Sequence, residues 1–88
     1  MIVRIDKAFE KDVRKIRDAA LLRELAHCIL EIESIEDTRK IRNLKKIQGS
    51  KSFYRIKLND YRLGVQIEGK HIDLIRFLHR KDVYKFFP

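Results

Sequence analysis

An α+β fold in the order β-α-α-β-β-β-α is predicted by three features of this 88-residue chain. Positions 1–48 contain no Gly or Pro and space their apolar residues at helical intervals. From residue 52 the apolar spacing changes to two. Turn-forming residues at Asn59-Asp60 and at Gly69 then divide the second stretch into three strands. A single domain over residues 1–88 is the expected organisation, and a chain this short buries only about 60% of its unfolded surface.

Ile2, Val3 and Ile5 predict a short opening strand. Asp6 is a candidate N-cap for a helix over residues 7–17, in which Phe9, Val13 and Ile16 form one apolar stripe. Leu21, Leu22, Leu25, Cys28, Ile29 and Ile32 give a wide apolar face to a second helix over residues 19–33, so the two form a helical hairpin. Ser34-Ile35-Glu36-Asp37 has the pattern of a capping box. A short helical stretch carrying Ile41, Leu44 and Ile47 is expected after it, ended by Gly49 and Ser50.

Residues 52–58 and 61–67 read as a β-hairpin, because Asn and Asp tolerate the positive φ of a tight turn. A two-residue loop pairs Leu58 with Tyr61, Lys57 with Arg62 and Ile56 with Leu63. In that register Tyr54, Ile56, Leu58, Tyr61, Leu63, Val65 and Ile67 share one face, and Arg55, Lys57, Arg62 and Gln66 share the other. A slip of one residue mixes the two sets. Residues 71–79 form the third strand, apolar on both faces and therefore interior. A two-residue turn at Gly69 puts Ile72, Leu74 and Leu78 on the helix-packed face. It puts His71, Asp73, Ile75, Phe77 and His79 on the basic one. Arg76 fits this register badly, landing among the apolar set. Residues 82–86 make one further helical turn. The expected result is a small, mostly antiparallel sheet with a helical hairpin on one face and an open basic face on the other.

Charge supports that picture. The net charge is +8, and charged residues make up 39% of the chain. Residues 1–44 carry 10 Lys/Arg against 9 Asp/Glu, whereas residues 45–88 carry 11 against 4. The second half is therefore a candidate surface for a polyanion. The apolar stretches are too short for a membrane span and the N-terminus has no secretory pattern, so the cytoplasm is the expected compartment. The single cysteine, Cys28, allows no internal disulfide, and its apolar neighbours suggest a buried helical thiol.

Several chemistries have no signature here. His27, His71 and His79 are scattered, so no metal-ligand set is visible and no cofactor is expected. The only glycines are Gly49, Gly64 and Gly69, which exclude a P-loop and a GxGxxG motif. Phosphate chemistry without a metal requires cations to hold the developing charge, together with a proton acceptor and a proton donor. Arg55, Lys57 and Arg62 on adjacent strands, followed by Arg80 and Tyr84, provide such groups. Lys45, Lys46, Lys51, Lys81 and His79 are candidates for holding a nucleic-acid backbone.

The blocks Phe53-Tyr54-Arg55-Ile56-Lys57-Leu58, Asp60-Tyr61-Arg62-Leu63 and Arg76-Phe77-Leu78-His79-Arg80-Lys81-Asp82-Val83-Tyr84, preceded by Leu44-Lys45-Lys46-Ile47-Gln48-Gly49, resemble the C-terminal half of RelE/ParE-superfamily toxins. With the helical hairpin upstream, the likeness covers nearly the whole chain. It implies a toxin of a type II toxin–antitoxin pair, neutralised by a cognate, acidic antitoxin protein. RelE-type members are mRNA endoribonucleases, often acting on the ribosome, in which the ribose 2′-hydroxyl attacks the adjacent phosphate. By this resemblance Arg55, Lys57, Arg62, Arg80 and Tyr84 are the catalytic set, with Arg80 on the scissile phosphate and Tyr84 as general base. Arg55 stands where the best-known nucleases carry Lys, and Arg is the poorer proton donor. His79 directly before Arg80 is a second departure. ParE-type members share the fold but inhibit DNA gyrase, and they generally lack the full nuclease set. A gyrase inhibitor, or an inactive module that only binds antitoxin, are the alternatives.

Overall fold

The computed structural model describes residues 1–88. Strand β1 (Ile2–Ile5) leads into helices α1 (Lys7–Arg14) and α2 (Ala19–Ser34). A 3-10 turn over Thr38–Lys40 then precedes β2 (Leu44–Lys46), β3 (Phe53–Leu58), β4 (Tyr61–Glu68), β5 (His71–His79) and the single-turn helix α3 (Val83–Phe86). The five strands form one sheet in the order β1-β5-β4-β3-β2, in which only the β1–β5 pair is parallel. No helix is long and apolar enough to cross a membrane.

The helical hairpin forms as its pattern predicts. Asp18 caps α2, its carboxylate accepting from the Leu21 N–H at 3.1 Å. α1 ends at Arg14, short of the expected residue 17, because the N–H groups of Lys15 and Ile16 bond three residues back and tighten the last turn. Phe9, Leu21, Leu25 and Ile32 from the helices pack on Ile56, Leu63, Val65, Ile67, Ile72, Leu74 and Phe77 of the sheet in one apolar cluster.

The helix expected over Ile41, Leu44 and Ile47 is replaced by the 3-10 turn and strand β2. Asp37 caps that turn through the Arg39 N–H, and Asn43 takes a positive φ of 63° that breaks any helical path. The free edge of β3 then captures Leu44–Lys46 as an antiparallel neighbour. A three-residue strand has no periodicity to read, so only the available edge decides its conformation.

The β3–β4 register matches the expected one, pairing Leu58 with Tyr61, Lys57 with Arg62 and Ile56 with Leu63. Asn59 supplies the positive φ of the turn, at 55°. Its amide also donates to Glu24 of α2 at 2.6 Å, tying the turn to the helical layer. Asn59→Ala is therefore expected to destabilise the fold by about 1 kcal/mol in urea melts, with Asn59→Gly closer to wild type.

The β4–β5 pairing follows the two-residue turn up to Val65–Leu74 and then shifts by one residue, so that Gly64 faces Arg76 and Leu63 faces Phe77. Ile75 is the extra residue of a β-bulge. The bulge corrects the expected faces of the end of β5. Phe77 is buried in the helix-packed core and His79 pairs with Tyr61 on that same side, whereas Leu78 turns to the opposite face. It also explains why Arg76 did not fit. Past Leu74 the β5 edge has lost β1 as a partner, and α1 covers it instead. The Asp12 carboxylate accepts from the Phe77 N–H at 2.9 Å and takes both arms of Arg76, at 2.8 and 3.0 Å. These bonds raise the Arg76 pKa further.

Candidate active site and nucleic-acid interface

Cross-strand partners in a sheet share a face. On the face away from the helical hairpin, one row therefore contains Lys57, Arg62 and Leu78, and the next contains Lys45, Arg55, Gly64 and Arg76. Two like-charged pairs, Lys57–Arg62 and Lys45–Arg55, stand directly opposite each other, an arrangement that destabilises a sheet by roughly 0.2–1 kcal/mol per pair. None of these four cations belongs to any of the ion pairs of the chain.

Backbone carbonyls hold the arginines instead. Arg62 Nη1 donates to the Asn59 and Tyr61 carbonyls at 2.8 and 2.9 Å, which folds the guanidinium toward the hairpin turn. Arg80 joins the same turn from the other side. Its N–H donates to the Asp60 carbonyl at 2.7 Å, and its Nε lies 3.9 Å from the Asp60 carboxylate. The turn Asn59-Asp60 thus gathers Arg62 and Arg80 beside Lys57. Arg55 lies one row away. Its Nη1 donates to the Asn43 carbonyl at 3.0 Å, while its Nε is buried without any hydrogen-bond partner.

The remaining candidates divide. Lys45 lies beside Arg55, but Lys46 alternates to the other face beside Tyr54. Lys51 is exposed in the connection from β2 to β3, and Lys81 in the turn before α3. His79 does not lie on the basic face. Its ring packs edge-on against Tyr61 at 5.6 Å, and its Nδ1 accepts from the Lys81 N–H at 3.2 Å. No three His, Cys, Asp or Glu side chains come together as a metal-binding group.

Tyr84 lies on a short helix whose place against the sheet the local pattern did not show. Its helix folds back over the sheet, with Val83 fully buried and Tyr84 63% exposed. Beyond the helix, the buried Phe87 ring rests on Gly64 and meets Phe53 edge-on at 5.6 Å. The face is consequently not bare: its middle is covered by this aromatic contact, with cations on the β2 and β3 side.

Residues 3–84 match the family described as the ParE toxin of the type II toxin–antitoxin system, parDE. The chain belongs to the RelE/ParE superfamily of toxins. Toxin RelE3 of Methanocaldococcus jannaschii is 32% identical to this RelE/ParE-family toxin over 89 residues, covering 100% of both chains. The fold is similar to that in the RelB-RelE antitoxin-toxin complex from Methanococcus jannaschii, with a TM-score of 0.82, 29% identity, and coverage of 97% of this chain and 99% of that one. It is also similar to that in the archaeal RelE-RelB complex from Pyrococcus horikoshii, with a TM-score of 0.72, 23% identity, and coverage of 90% and 93%.

In this RelE/ParE-family toxin three participating residues escaped the sequence reading. Asn59 and Asp60 were read only as a turn, although the Asn59 carbonyl accepts from the Arg62 side chain and the Asp60 carbonyl from the Arg80 backbone N–H. Gly64 was read as one more strand position. A glycine inside a strand does signal a close approach by something else, but the approaching Phe87 lies 23 residues later in the chain. On the opposite side of the hairpin, Cys28 lines a groove between α2 and β3 with Ile32, Ile56 and Leu58. Burial pushes its thiol pKa up, Glu31 adds to the shift and Arg42 opposes it. A raised pKa keeps the thiol protonated at neutral pH, so native Cys28 is expected to react more slowly with iodoacetamide at pH 7.5 than the same residue in urea.

Proposed function

We propose that this toxin cleaves mRNA without a metal, acting in the cytoplasm and on ribosome-bound message, until an acidic antitoxin protein binds it. The observation that carries this reading is the Lys57–Arg62 cross-strand pair. It has no carboxylate to balance it, and Arg80 is brought to it by the Asn59-Asp60 turn. Like charges held opposite each other destabilise the sheet, and a bound polyanion reverses the sign of that interaction. The buried, unpartnered Nε of Arg55 supports the same reading, because an anionic oxygen satisfies it.

In the proposed reaction the ribose 2′-oxygen bonds to phosphorus, the bond to the 5′-oxygen breaks, and a 2′,3′-cyclic phosphate is left. Arg62 and Arg80 stabilise the charge on the non-bridging oxygens. Tyr84 takes the proton from the 2′-hydroxyl as the general base. Lys57 delivers a proton to the departing 5′-oxygen. Lys45, Lys51 and Lys81 hold flanking phosphates, so binding weakens as salt rises. An antitoxin partner is supported by the solved complexes of the RelB-RelE relatives.

Mapping mRNA 5′-ends after induction without antitoxin tests the reading. New ends within translated messages, and their cleavage in vitro in EDTA with cyclic-phosphate products, are expected. Intact mRNA in arrested cells overturns it. The ParE description of the matched family favours one second reading, a gyrase inhibitor. In that case DNA supercoiling by gyrase is blocked and no RNA ends appear.

A further inference from the structure

We propose that Phe87, seated in the slot that Gly64 leaves in β4, is the positioning residue that holds Tyr84 over the basic strands. The inference rests on the ribonuclease reading for the role of Tyr84, and on packing for the role of Phe87.

Helix α3 is only four residues long, Val83–Phe86. A single turn has almost no helical stability of its own, since nucleation is unfavourable and only propagation adds hydrogen bonds. No side chain caps its N-terminus at Asp82. Its place on the sheet must therefore come from tertiary anchors. Two of these are buried: Val83 at 0% exposure and Phe87 at 3%. The Phe87 N–H also donates to the Val83 carbonyl at 2.8 Å, so the two anchors are joined through the helix backbone. Tyr84 lies between them in sequence and is itself mostly exposed, with its ring available to a ligand.

The sheet is shaped for the second anchor. A Cβ built on Gly64 lies 2.8–2.9 Å from three atoms of the Phe87 ring, and these are its nearest neighbours. Any larger residue at position 64 displaces the ring. Gly64 sits in the row between Arg55 and Arg76, the row next to Lys57 and Arg62. The slot therefore places the end of α3 two residues along β4 from Arg62 of the proposed phosphate site. Phe53 closes the slot on one side by an edge-on contact at 5.6 Å. The Arg76 guanidinium lies 5.9 Å from the Phe86 ring centre, a contact from the Asp12-anchored edge of the sheet. A glycine inside a strand weakens it, and this close aromatic contact gives that position its physical reason.

The test is a double-mutant cycle between Phe87 and Tyr84, read in two ways. Phe87→Ala is expected to lower the cleavage rate at saturating RNA by about 10²-fold, the loss associated with misplacing a reacting group by roughly 1 Å. The RNA concentration for half-saturation should change by less than about threefold, since Phe87 touches no phosphate. Phe87→Leu should recover at least about tenfold of the loss, because it refills much of the slot. Gly64→Ala, which leaves Phe87 in the sequence but fills its seat, is expected to reproduce the Phe87→Ala rate. In a Tyr84→Phe background, Phe87→Ala should change the remaining rate by less than about twofold, because the group it positions is gone. Equal losses from Phe87→Ala in the two backgrounds overturn the proposal.

The second reading does not depend on cleavage. Backbone order parameters at residues 84–86 are expected to fall from near 0.85 to below about 0.6 in Phe87→Ala, with β3, β4 and β5 unchanged. Unchanged order parameters overturn the proposal whether or not RNA is cut. A wild-type protein that cuts no RNA, together with the expected loss of order, overturns the ribonuclease reading alone and leaves Phe87 as the anchor of α3.

Discussion

Arg62→Ala and Arg80→Ala are each expected to slow single-turnover RNA cleavage by about 10²–10³-fold, the usual effect of removing one fixed donor that stabilises developing oxyanion charge. Both arginines belong to the same hairpin turn: the Arg62 guanidinium is held by the Asn59 and Tyr61 carbonyls, and the Arg80 backbone N–H bonds the Asp60 carbonyl. The Arg62 guanidinium is thus set in place before substrate arrives, which is the condition under which such a donor acts most strongly. Because the two arginines share one phosphate in the proposed reaction, the double substitution should cost less than the product of the two single losses. Folding should be nearly unaffected. Arg62 lies opposite Lys57, so its removal relieves a like-charge contact, and Arg80 is exposed. Urea midpoints within about 0.5 kcal/mol of wild type are expected for both. Lysine at position 80 keeps the charge but loses the planar fork, so Arg80→Lys should recover only part of the rate. Full cleavage by both alanine variants removes the catalytic assignment.

Asp12→Ala is expected to cost about 3 kcal/mol of stability, because it breaks a buried ion pair and strands its partners. Asp12 is 7% exposed. Its two oxygens accept from both arms of Arg76 and from the Phe77 N–H, on the stretch of β5 that has no strand neighbour on that side. Removing the carboxylate leaves the Phe77 N–H without a partner inside the fold and the Arg76 charge without its counter-ion. Asp12→Asn keeps one acceptor for the N–H and should lose less. The bulge at Ile75 aims Arg76 toward Asp12, so both variants are expected to loosen the β4–β5 pairing near Gly64. Equilibrium urea unfolding of the purified toxin reads the effect, and a midpoint equal to wild type rules out a structural role for this pair.

The strand-forming half of the chain was legible for a simple reason. In residues 53–67 the side chains alternate every second position, and only one register keeps Ile56, Leu63 and Val65 together while separating Arg55, Lys57 and Arg62 from them. That pattern is local, and the Asn59 turn that sets it is local too. The cationic members of the candidate site were legible for the same reason. The misfit of Arg76 was also visible, but its cause was not. A bulge inserts one residue without changing composition, and nothing near Ile75 in the chain distinguishes it from an ordinary strand position. The faces of Phe77, Leu78 and His79 were inverted by that single residue. The 41–47 segment failed for the opposite reason: its apolar spacing suited a helix, but the open edge of β3 recruited it as a strand.

By itself, then, the sequence determined the element types outside residues 38–47, the β3–β4 register, the charge asymmetry and, through its motif blocks, the toxin family. Each of these depends on neighbours within a few residues or on composition. The tertiary structure alone decided what depends on partners far apart in the chain. It set Asp12 against Arg76 and Phe77, 64 and 65 residues away. It tied the Asn59 turn to Glu24, and it seated Phe87 on Gly64 so that a helix too short to stand alone is anchored on the sheet. The physical reason is that such contacts act at single positions and leave no period in the sequence, so only the packed chain reveals which residues meet.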